Sequence, residues 1–351
     1  MAAASSDATA AYRGDEQAPV ADRLHAIARR VLDARKDEYD PWLYRYCGEL
    51  ADPDDVRRYL RYQLDHLALG GIEPQDDRIL DVGCGFGMTL VVMGLLGAER
   101  LHGIDNYPAM IDTIEAYKPL LPDDLASRLC VVKGDAAEMP YDDGEFDVLL
   151  SIEAISHYLD VDGFLREASR VLRPGGTMIV SDGNNGSNPI IRRKTHAIWH
   201  AFEGGPDGTE VHGHTVGTSY RTRRRAILAE AVDGLPPKQA DVLAERTAGM
   251  IESEVIEAGR RFVEEGALPE PALRDDDVPV SPDGQVIERL FAPYELARQI
   301  DSFGFRSRVH GYWGGAQGSP LLRGANSVLD RLSPATIYTA RSFRIVSVRE
   351  P

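Results

Sequence analysis

Two clusters of residues in this chain have the types and spacing that chemistry needs. The first is the run ILDVGCGFG, Ile79 to Gly87, followed by an acidic residue in GID at Asp105. A short apolar run reads as a buried strand, and glycines without Cβ atoms let the backbone approach a ligand. That is a pocket of nucleotide type. The second cluster is SIEAISHYLD, Ser151 to Asp160, in which Glu153 and His157 stand four residues apart. If the segment is helical, the two share a face and the carboxylate orients the imidazole or raises its basicity. A neutral histidine near its ordinary pKa suits a base that takes a proton from a substrate hydroxyl or ammonium. The alternative is a histidine that hydrogen-bonds a cofactor or caps a packed helix.

The glycine pattern narrows the ligand. A dinucleotide fingerprint needs GxGxxG, with the third glycine for close helix–strand packing, and here Met88 stands in that place. Hydride transfer is disfavoured accordingly. A phosphate loop needs GxxxxGK followed by Ser or Thr, and the chain has none. At the end of a strand, the Asp105 carboxylate is suited to accept both hydroxyls of a ribose, and its charge disfavours a phosphorylated one.

Elements in a regular order must position these residues. Strands are predicted at Arg78–Val82, Arg100–Ile104, Leu129–Lys133, Phe146–Ser151 and Gly176–Ser181, with helices at Met88–Leu96, Ala109–Ala116 and Val161–Leu172 between them. That alternation makes βαβ units of a mostly parallel, doubly wound α/β sheet with helices on both faces. The RPGG segment, Arg173–Gly176, reads as a turn in which Pro174 stops a helix.

Outside that rhythm, residues 1–20 read as a poorly ordered tail. Residues 21–70 form an N-terminal helical lid, or else helices packed on the sheet edge. Residues 71–187 are the cofactor-binding core. From 188 to 290 the alternation stops, and about a hundred residues without strands are too many for a connection. A mainly helical insertion is expected there, with one long helical stretch over Pro236–Glu265 and a Pro- and Asp-rich loop over Leu268–Gly284. Residues 291–351 complete the core, with a helix at Pro293–Phe303 and strands at Phe305–Tyr312 and Ser342–Arg349. The last two strands fit an antiparallel edge pair.

Composition bounds the partners. The 351 residues carry a formal net charge of −17, which argues against a nonspecific nucleic-acid surface. Cys47, Cys84 and Cys130 are few and form no CxxC pair, so a reducing compartment is expected and a disulfide framework or zinc site is not. With no long apolar run and no leader-like start, the chain reads as cytoplasmic and free of membrane contact.

DVGCGFG at Asp81–Gly87, GID at Gly103–Asp105, GDAAEMPYDDGEFDVLLS at Gly134–Ser151 and the LRPGG turn together resemble the class I S-adenosylmethionine-dependent methyltransferases. The likeness covers Asp81 to Ser181 and resumes more loosely from Phe291. It implies a Rossmann-like, seven-stranded, mostly parallel sheet with an antiparallel C-terminal edge strand, and S-adenosyl-L-methionine as the cofactor. By that resemblance Asp105 holds the ribose, and Asn106 and Tyr107 flank the adenosine. Asp135 contacts the adenine amine, with Ala136 supplying a backbone N–H; the alternative for Asp135 is a helix cap completed by Glu138. Asp81 and the turn Gly83, Cys84, Gly85 and Gly87 face the methionyl part, and Ser151 borders the transferable methyl. The implied activity is transfer to an oxygen or nitrogen of a small-molecule acceptor, of the kind met in secondary metabolism, with His157 as candidate base. IEAISHYLD also resembles a segment of sterol C-methyltransferases, so C-methylation with Glu153 stabilising a carbocation is an alternative. A cofactor-binding protein without turnover is another.

For the acceptor, Tyr44 in the lid, Tyr158, Arg192, Tyr312 and Trp313 are the candidate contacts. Arg192, Arg193 and Lys194, and also Arg221, Arg223, Arg224 and Arg225, either bind an anionic substrate group or pair with neighbouring acids. His212 and His214 have metal-ligand character but no third ligand at a telling distance, so no metal is expected. Tyr312 and Trp313 in GYWGG either wall the substrate pocket or fill a homodimer interface.

Overall fold

The computed structural model describes residues 17–34, 39–75, 77–270, 278–314 and 319–351. Most of the expected N-terminal tail, the 271–277 part of the Pro- and Asp-rich loop and Gly315 lie outside the described residues. The chain divides into two units. The first contains residues 1–155, 160–183 and 293–351, and the second 156–159 and 184–292.

In the first unit, short β-branched and leucine-rich runs are covered on both faces and so form strands. β1 (Ile79–Val82) is buried along its whole length. It pairs in parallel with β2 (Leu101–Asp105) and β4 (Phe146–Ile152), while β3 (Leu129–Lys133) pairs with β2 and β5 (Leu172–Asp182) with β4. Two strands from the end of the chain, β8 (Phe305–Tyr312) and β9 (Ser342–Arg349), complete seven strands in the order β3-β2-β1-β4-β5-β9-β8. β9 is antiparallel to both neighbours, so the last strand is antiparallel as expected and lies one place in from the β8 edge. Strand order reverses between β1 and β4. In an open parallel sheet the crevice beyond the carboxyl ends at such a point is the ligand edge.

RPGG is not a separate turn. Helix α7 (Val161–Val171) ends before it, and Arg173–Gly176 form a bulge inside β5, where pairing jumps from Phe146↔Leu172 to Val148↔Thr177 and Gly175 takes φ +79°. The bulge places Arg173 beside Asp147, which Arg78 grips through Nε at 2.8 Å and through its backbone N–H at 2.9 Å. Burial pushes the Asp147 carboxyl up, but hydrogen bonds from the two arginines outweigh it and hold the group well below the usual carboxylate range.

Three helices precede β1: α1 (Gln17–Ala34), α2 (Pro41–Glu49) and α3 (Pro53–Gly70). α3 starts where the Asp52 side chain accepts from the Asp54 and Asp55 N–H groups and Pro53 occupies the first turn, and it stops at Gly71, φ +64°. Its apolar stripe of Val56, Leu60, Leu64 and Leu67 joins the core that also covers β1 and α4 (Met88–Leu95), and α5 (Pro108–Tyr117) and α6 (Asp123–Ala126) lie between β2 and β3 in the chain.

The second unit holds α8 (Pro189–Gly204), a small hairpin of β6 (Glu210–Val211) and β7 (His214–Thr215), and helices α9 (Tyr220–Ala231), α10 (Pro237–Arg246) and α11 (Glu252–Glu265). The expected single helical stretch is therefore two helices, broken where Gly249 adopts φ +84°. The expected absence of strands is corrected by the hairpin, whose turn uses φ +90° at Gly213. Leu228, Val232, Leu243 and Val255 pack these helices together. Gly259 permits the close approach, since a Cβ there would lie 2.6 Å from Leu228 and 2.8 Å from Val232.

Candidate functional site

At the crevice edge of the first unit, β1 runs into Gly83 (φ +71°), Gly85 (φ +51°) and Gly87 (φ +69°) before α4 begins. Only glycine takes this succession of left-handed residues without strain. Gly83 and Cys84 donate their N–H groups to the Ile104 carbonyl at 2.8 and 3.2 Å, which ties the turn to the end of β2. Space is open above Gly85, where a Cβ would meet nothing within 4 Å. The turn is thus a fixed cradle facing a void.

Asp105 ends β2 beside it. One carboxylate oxygen accepts from Gly85 N–H and the other from Tyr107 N–H, both at 2.9 Å, so the side chain is oriented by backbone and each oxygen keeps further acceptor capacity. Asn106 is exposed next to it. Asp81 is 3% exposed, and burial pushes its carboxyl up to about 8, with the Asp105 carboxylate adding to the shift. At neutral pH it is mostly a neutral acid. Cys84 is buried and burial raises its thiol pKa, so it stays protonated.

The next strand delivers Asp135 to the same edge, because Lys133 pairs with Asp105 and Gly134 N–H donates to the Asp105 carbonyl at 3.0 Å. The helix-cap alternative for Asp135 does not form. Residues 135–138 make a tight turn in which the Asp135 side chain accepts from Ala137 N–H at 2.8 Å and Asp135 bridges Glu138. Ala136 is half-buried within that turn, and Ser151 is fully buried at the end of β4.

Glu153 and His157 do not share a helix face. Glu153 takes φ +53°, a left-handed conformation rare outside glycine, and only Ile155–His157 follow as one short 3₁₀ turn. The β4 end is pinned to β5 by Glu153 N–H donating to the Ser181 carbonyl at 2.7 Å. The Glu153 carboxylate accepts from Tyr62 O–H at 2.8 Å and from Gly183 N–H at 2.9 Å. It keeps an exposed surface although protein surrounds it closely, as a group does on the wall of a space rather than in solid core. That desolvation, then the charge of Asp182, raises its pKa to about 7.

His157 belongs to the second unit, where its Nδ1 lies 3.1 Å from the Val286 carbonyl. A carbonyl only accepts, so Nδ1 is the donor and Nε2 is left as the acceptor nitrogen of the neutral ring. Tyr158, in the same unit, accepts through its carbonyl from Arg289 at 3.4 Å. The basic cluster on α9 is spent on local pairs: Arg224 is fully buried against Glu203 and the Ala244 carbonyl, Arg225 meets Asp241, and Arg223 meets Asp283 at 3.2 Å. Arg192, Arg193 and Lys194 are exposed on α8. His214 faces Glu288 at 3.5 Å, and among the described residues no group of acids, histidines or cysteines could hold a metal ion. No helix among them is long and apolar enough to cross a membrane.

Tyr44 of α2 packs against Tyr39, which lies just before that helix. Three other tyrosines, Tyr46, Tyr59 and Tyr62, line a cavity of about 340 Å³. Tyr62 and Tyr59 reach the strand ends, Tyr62 through Glu153 and Ser181 Oγ (3.1 Å), and Tyr59 close enough for its pKa to feel Asp81. Sequence reasoning missed them, although Tyr59, Tyr62 and His66 recur at helical spacing beside the apolar stripe it did find. Tyr312 and Trp313 line a different cavity, of about 310 Å³.

Residues 80–180 match the family model described as a methyltransferase domain. The chain is 26% identical over 221 residues to the 2-methyl-6-phytyl-1,4-hydroquinone methyltransferase of Synechocystis sp., covering 54% of this chain and 68% of that one. It is 35% identical over 108 residues to the 27-O-demethylrifamycin SV methyltransferase of Amycolatopsis mediterranei (30% and 38% covered), and 33% identical over 129 residues to the sterol 24-C-methyltransferase of Kluyveromyces lactis (35% and 34% covered). The chain thus spans little more than a third of the length of the last two relatives.

Proposed function

Through the methyltransferase domain at residues 80–180 the chain belongs to the class I S-adenosylmethionine-dependent methyltransferases, and from that premise we propose that it methylates an oxygen or nitrogen of a small metabolite, with Glu153 as proton acceptor. The observation that carries this reading is the Glu153 carboxylate at the end of β4, oriented by Tyr62 O–H and Gly183 N–H and raised to a pKa of about 7. A base is most effective when its pKa lies near the working pH.

The residues of the glycine turn fit the cofactor. Asp105, with acceptor capacity left on both oxygens, would hold the ribose hydroxyls; Asp135, Ala136 and Asn106 would border the adenosine. Asp81, buried and protonated, would face the methionyl ammonium, with Gly83, Cys84, Gly85 and Gly87 offering backbone and the open space above Gly85 offering room. Bound there, the sulfonium supplies a methyl group that is already activated, so the protein's share is to position the acceptor, exclude water and receive a proton. Ser151, fully buried at the end of β4, would support the methyl side of this edge from beneath. Tyr62 donates to Glu153 and, with a pKa raised well above its ordinary value by burial and then by Glu153, does not compete for the proton.

His157 supports a second reading, because its Nε2 is the acceptor nitrogen while Nδ1 is held by Val286. The test is to incubate the purified chain with methyl-labelled adenosylmethionine and metabolite extract and to identify the products by mass spectrometry. A label on oxygen or nitrogen supports the proposal. A label on carbon replaces it with C-methylation, in which ionised Glu153 faces a carbocation, and tight cofactor binding with no labelled product refutes turnover.

A further inference from the structure

Arg344 lies in β9 and pairs with Ser181 of β5 on one side and His310 of β8 on the other. Its side chain is 3% exposed, and Nε and Nη2 have neither solvent contact nor a hydrogen-bond partner among the described residues. No ligand from outside reaches those nitrogens, so whatever offsets the charge lies inside the fold. Nη1 stands 4.0 Å from Asp65, the outer limit of an ion pair. The guanidinium Cζ lies 4.0 Å from the Tyr312 ring centroid and 5.0 Å from that of Tyr62, and the two rings meet edge to face at 5.6 Å. Aromatic rings attract a desolvated cation. One loose ion pair and two rings are nevertheless little compensation for a charge in the middle of a sheet.

A second carboxylate acts on it, that of Glu153. Ser181, the ladder partner of Arg344, accepts from Glu153 N–H at 2.7 Å through its carbonyl, and its Oγ lies 3.1 Å from the Tyr62 hydroxyl, which donates to Glu153 at 2.8 Å. Tyr62 therefore meets Arg344 with its ring and Glu153 with its hydroxyl. Across this short span the guanidinium lowers the Glu153 pKa, against the rise caused by desolvation and then by Asp182. The surrounding elements bring no second permanent cation. On α3, Tyr62 is neutral because burial raises its pKa, and buried His66 is neutral because burial and then Arg344 lower its own. Asp65 on α3 and Asp182 at the end of β5 are acids. On β8, burial raises the Tyr312 pKa and His310 is turned to Asp330 at 3.2 Å.

We infer that Arg344 is a positioning residue for Glu153, the internal counter-charge that keeps this carboxylate ionised, and so able to accept a proton, beside the negative Asp182. An apolar side chain at 344 would make a cheaper sheet, but it would leave Glu153 facing Asp182 with no cation to oppose it. The role in the reaction rests on Glu153 being the proton acceptor, as proposed above; the coupling of the two charges does not.

The test titrates the full chain without cofactor, its glutamates labelled with ¹³C at Cδ and Glu153 assigned by the signal lost in Glu153→Gln. The wild-type midpoint is expected near 7. Arg344→Met should raise it by about one unit or more, roughly a tenfold gain in proton affinity, and Arg344→Gln should do the same if the Met variant fails to fold. Arg344→Lys, which keeps the charge, should stay close to wild type. An unmoved midpoint in a folded neutral variant, or an equal rise in Arg344→Lys, overturns the inference. The second readout is the total label transferred from methyl-labelled adenosylmethionine to metabolite extract, followed against pH. Its half-maximal point should move upward with the Glu153 midpoint while cofactor affinity stays unchanged. A carboxyl midpoint that moves while the rate profile does not would refute Glu153 as the base, and with it the role of Arg344 in the reaction, and would leave the coupling standing.

Discussion

Asp81 gives the sharpest test of where the methionyl end binds. In the ligand-free protein burial, then Asp105, raises its carboxyl to about 8, so at pH 7 it is mostly protonated. A cationic ammonium beside it favours the ionised form, so binding must expel that proton. The sign then follows from linkage. With a pKa near 8, Asp81 is ionised in about 1% of molecules at pH 6 and about 9% at pH 7, while an α-ammonium of pKa ~8 stays largely charged over that interval. Affinity for adenosylmethionine should therefore rise about tenfold from pH 6 to pH 7, or ~1.4 kcal/mol, with close to one proton released per molecule bound. Above pH ~8 the ammonium itself deprotonates and the gain ends. Titration calorimetry in phosphate and in Tris at the same pH counts that proton directly, because the apparent enthalpy shifts with the buffer's ionisation heat. Asp81→Asn should weaken binding by roughly ten- to a hundredfold, as for a lost charged hydrogen bond, and should erase the buffer dependence. The group also affects stability. Its folded pKa lies above the unfolded value of ~3.9, so its contribution is lost as pH rises from about 4 to about 8, and Asp81→Asn should remove that decline. Wild-type binding with no proton release and the same affinity at pH 6 and pH 7 would refute the placement of the ammonium at Asp81.

Asp105→Ala removes the ribose acceptor and the anchor of Gly85, so equilibrium dialysis should show adenosylmethionine affinity reduced at least tenfold; unchanged affinity rejects the assignment. Glu153→Gln should cut kcat much more than cofactor affinity and abolish the rise in rate toward the carboxyl's pKa of about 7, below which the base is protonated. If His157→Ala does this instead, His157 is the base. Asp147→Asn should cost about 1–2 kcal/mol in urea unfolding at pH 7. Because the folded pKa is depressed, the difference should shrink as pH falls below ~4, and a difference that persists in strong acid would contradict the ion-pair account.

The parts of the fold that the sequence disclosed are those governed by local rules. Alternating apolar runs and helical stripes located the first five strands of the sheet to within a few residues, and β8 and β9 at their observed limits, because covered strands and amphipathic helices write their burial directly into residue order. The errors share a cause as well. RPGG reads as a turn and lies within a bulged strand because the ladder, not the dipeptide, decides where Gly175 bends. Glu153 and His157 read as a helical pair because their spacing permits it, yet strand pairing holds Glu153 N–H on Ser181 and turns the chain left-handed at the point where a helix would have begun. Asp135 and Glu138 likewise have capping-box spacing without a helix to cap.

What spacing cannot convey is the partner an aromatic or charged residue meets across the fold. Tyr59, Tyr62 and His66 sit on the shoulder of the α3 stripe, where a polar aromatic looks the same whether it meets water or a carboxylate from residue 153. Arg344 is different, because its anomaly is visible along the strand once burial is known. Residues 342–347 of β9 are all buried, as in a strand covered on both faces, and an arginine is the most expensive residue to place in that run. Ser181, its neighbour across the ladder, bonds Tyr62, and Tyr62 bonds Glu153. Arg344 stands two strands from Glu153, near enough for the carboxyl to feel its charge, and that pairing of a buried cation with an enclosed acid is set by the order of the strands, which the residues of β9 do not carry.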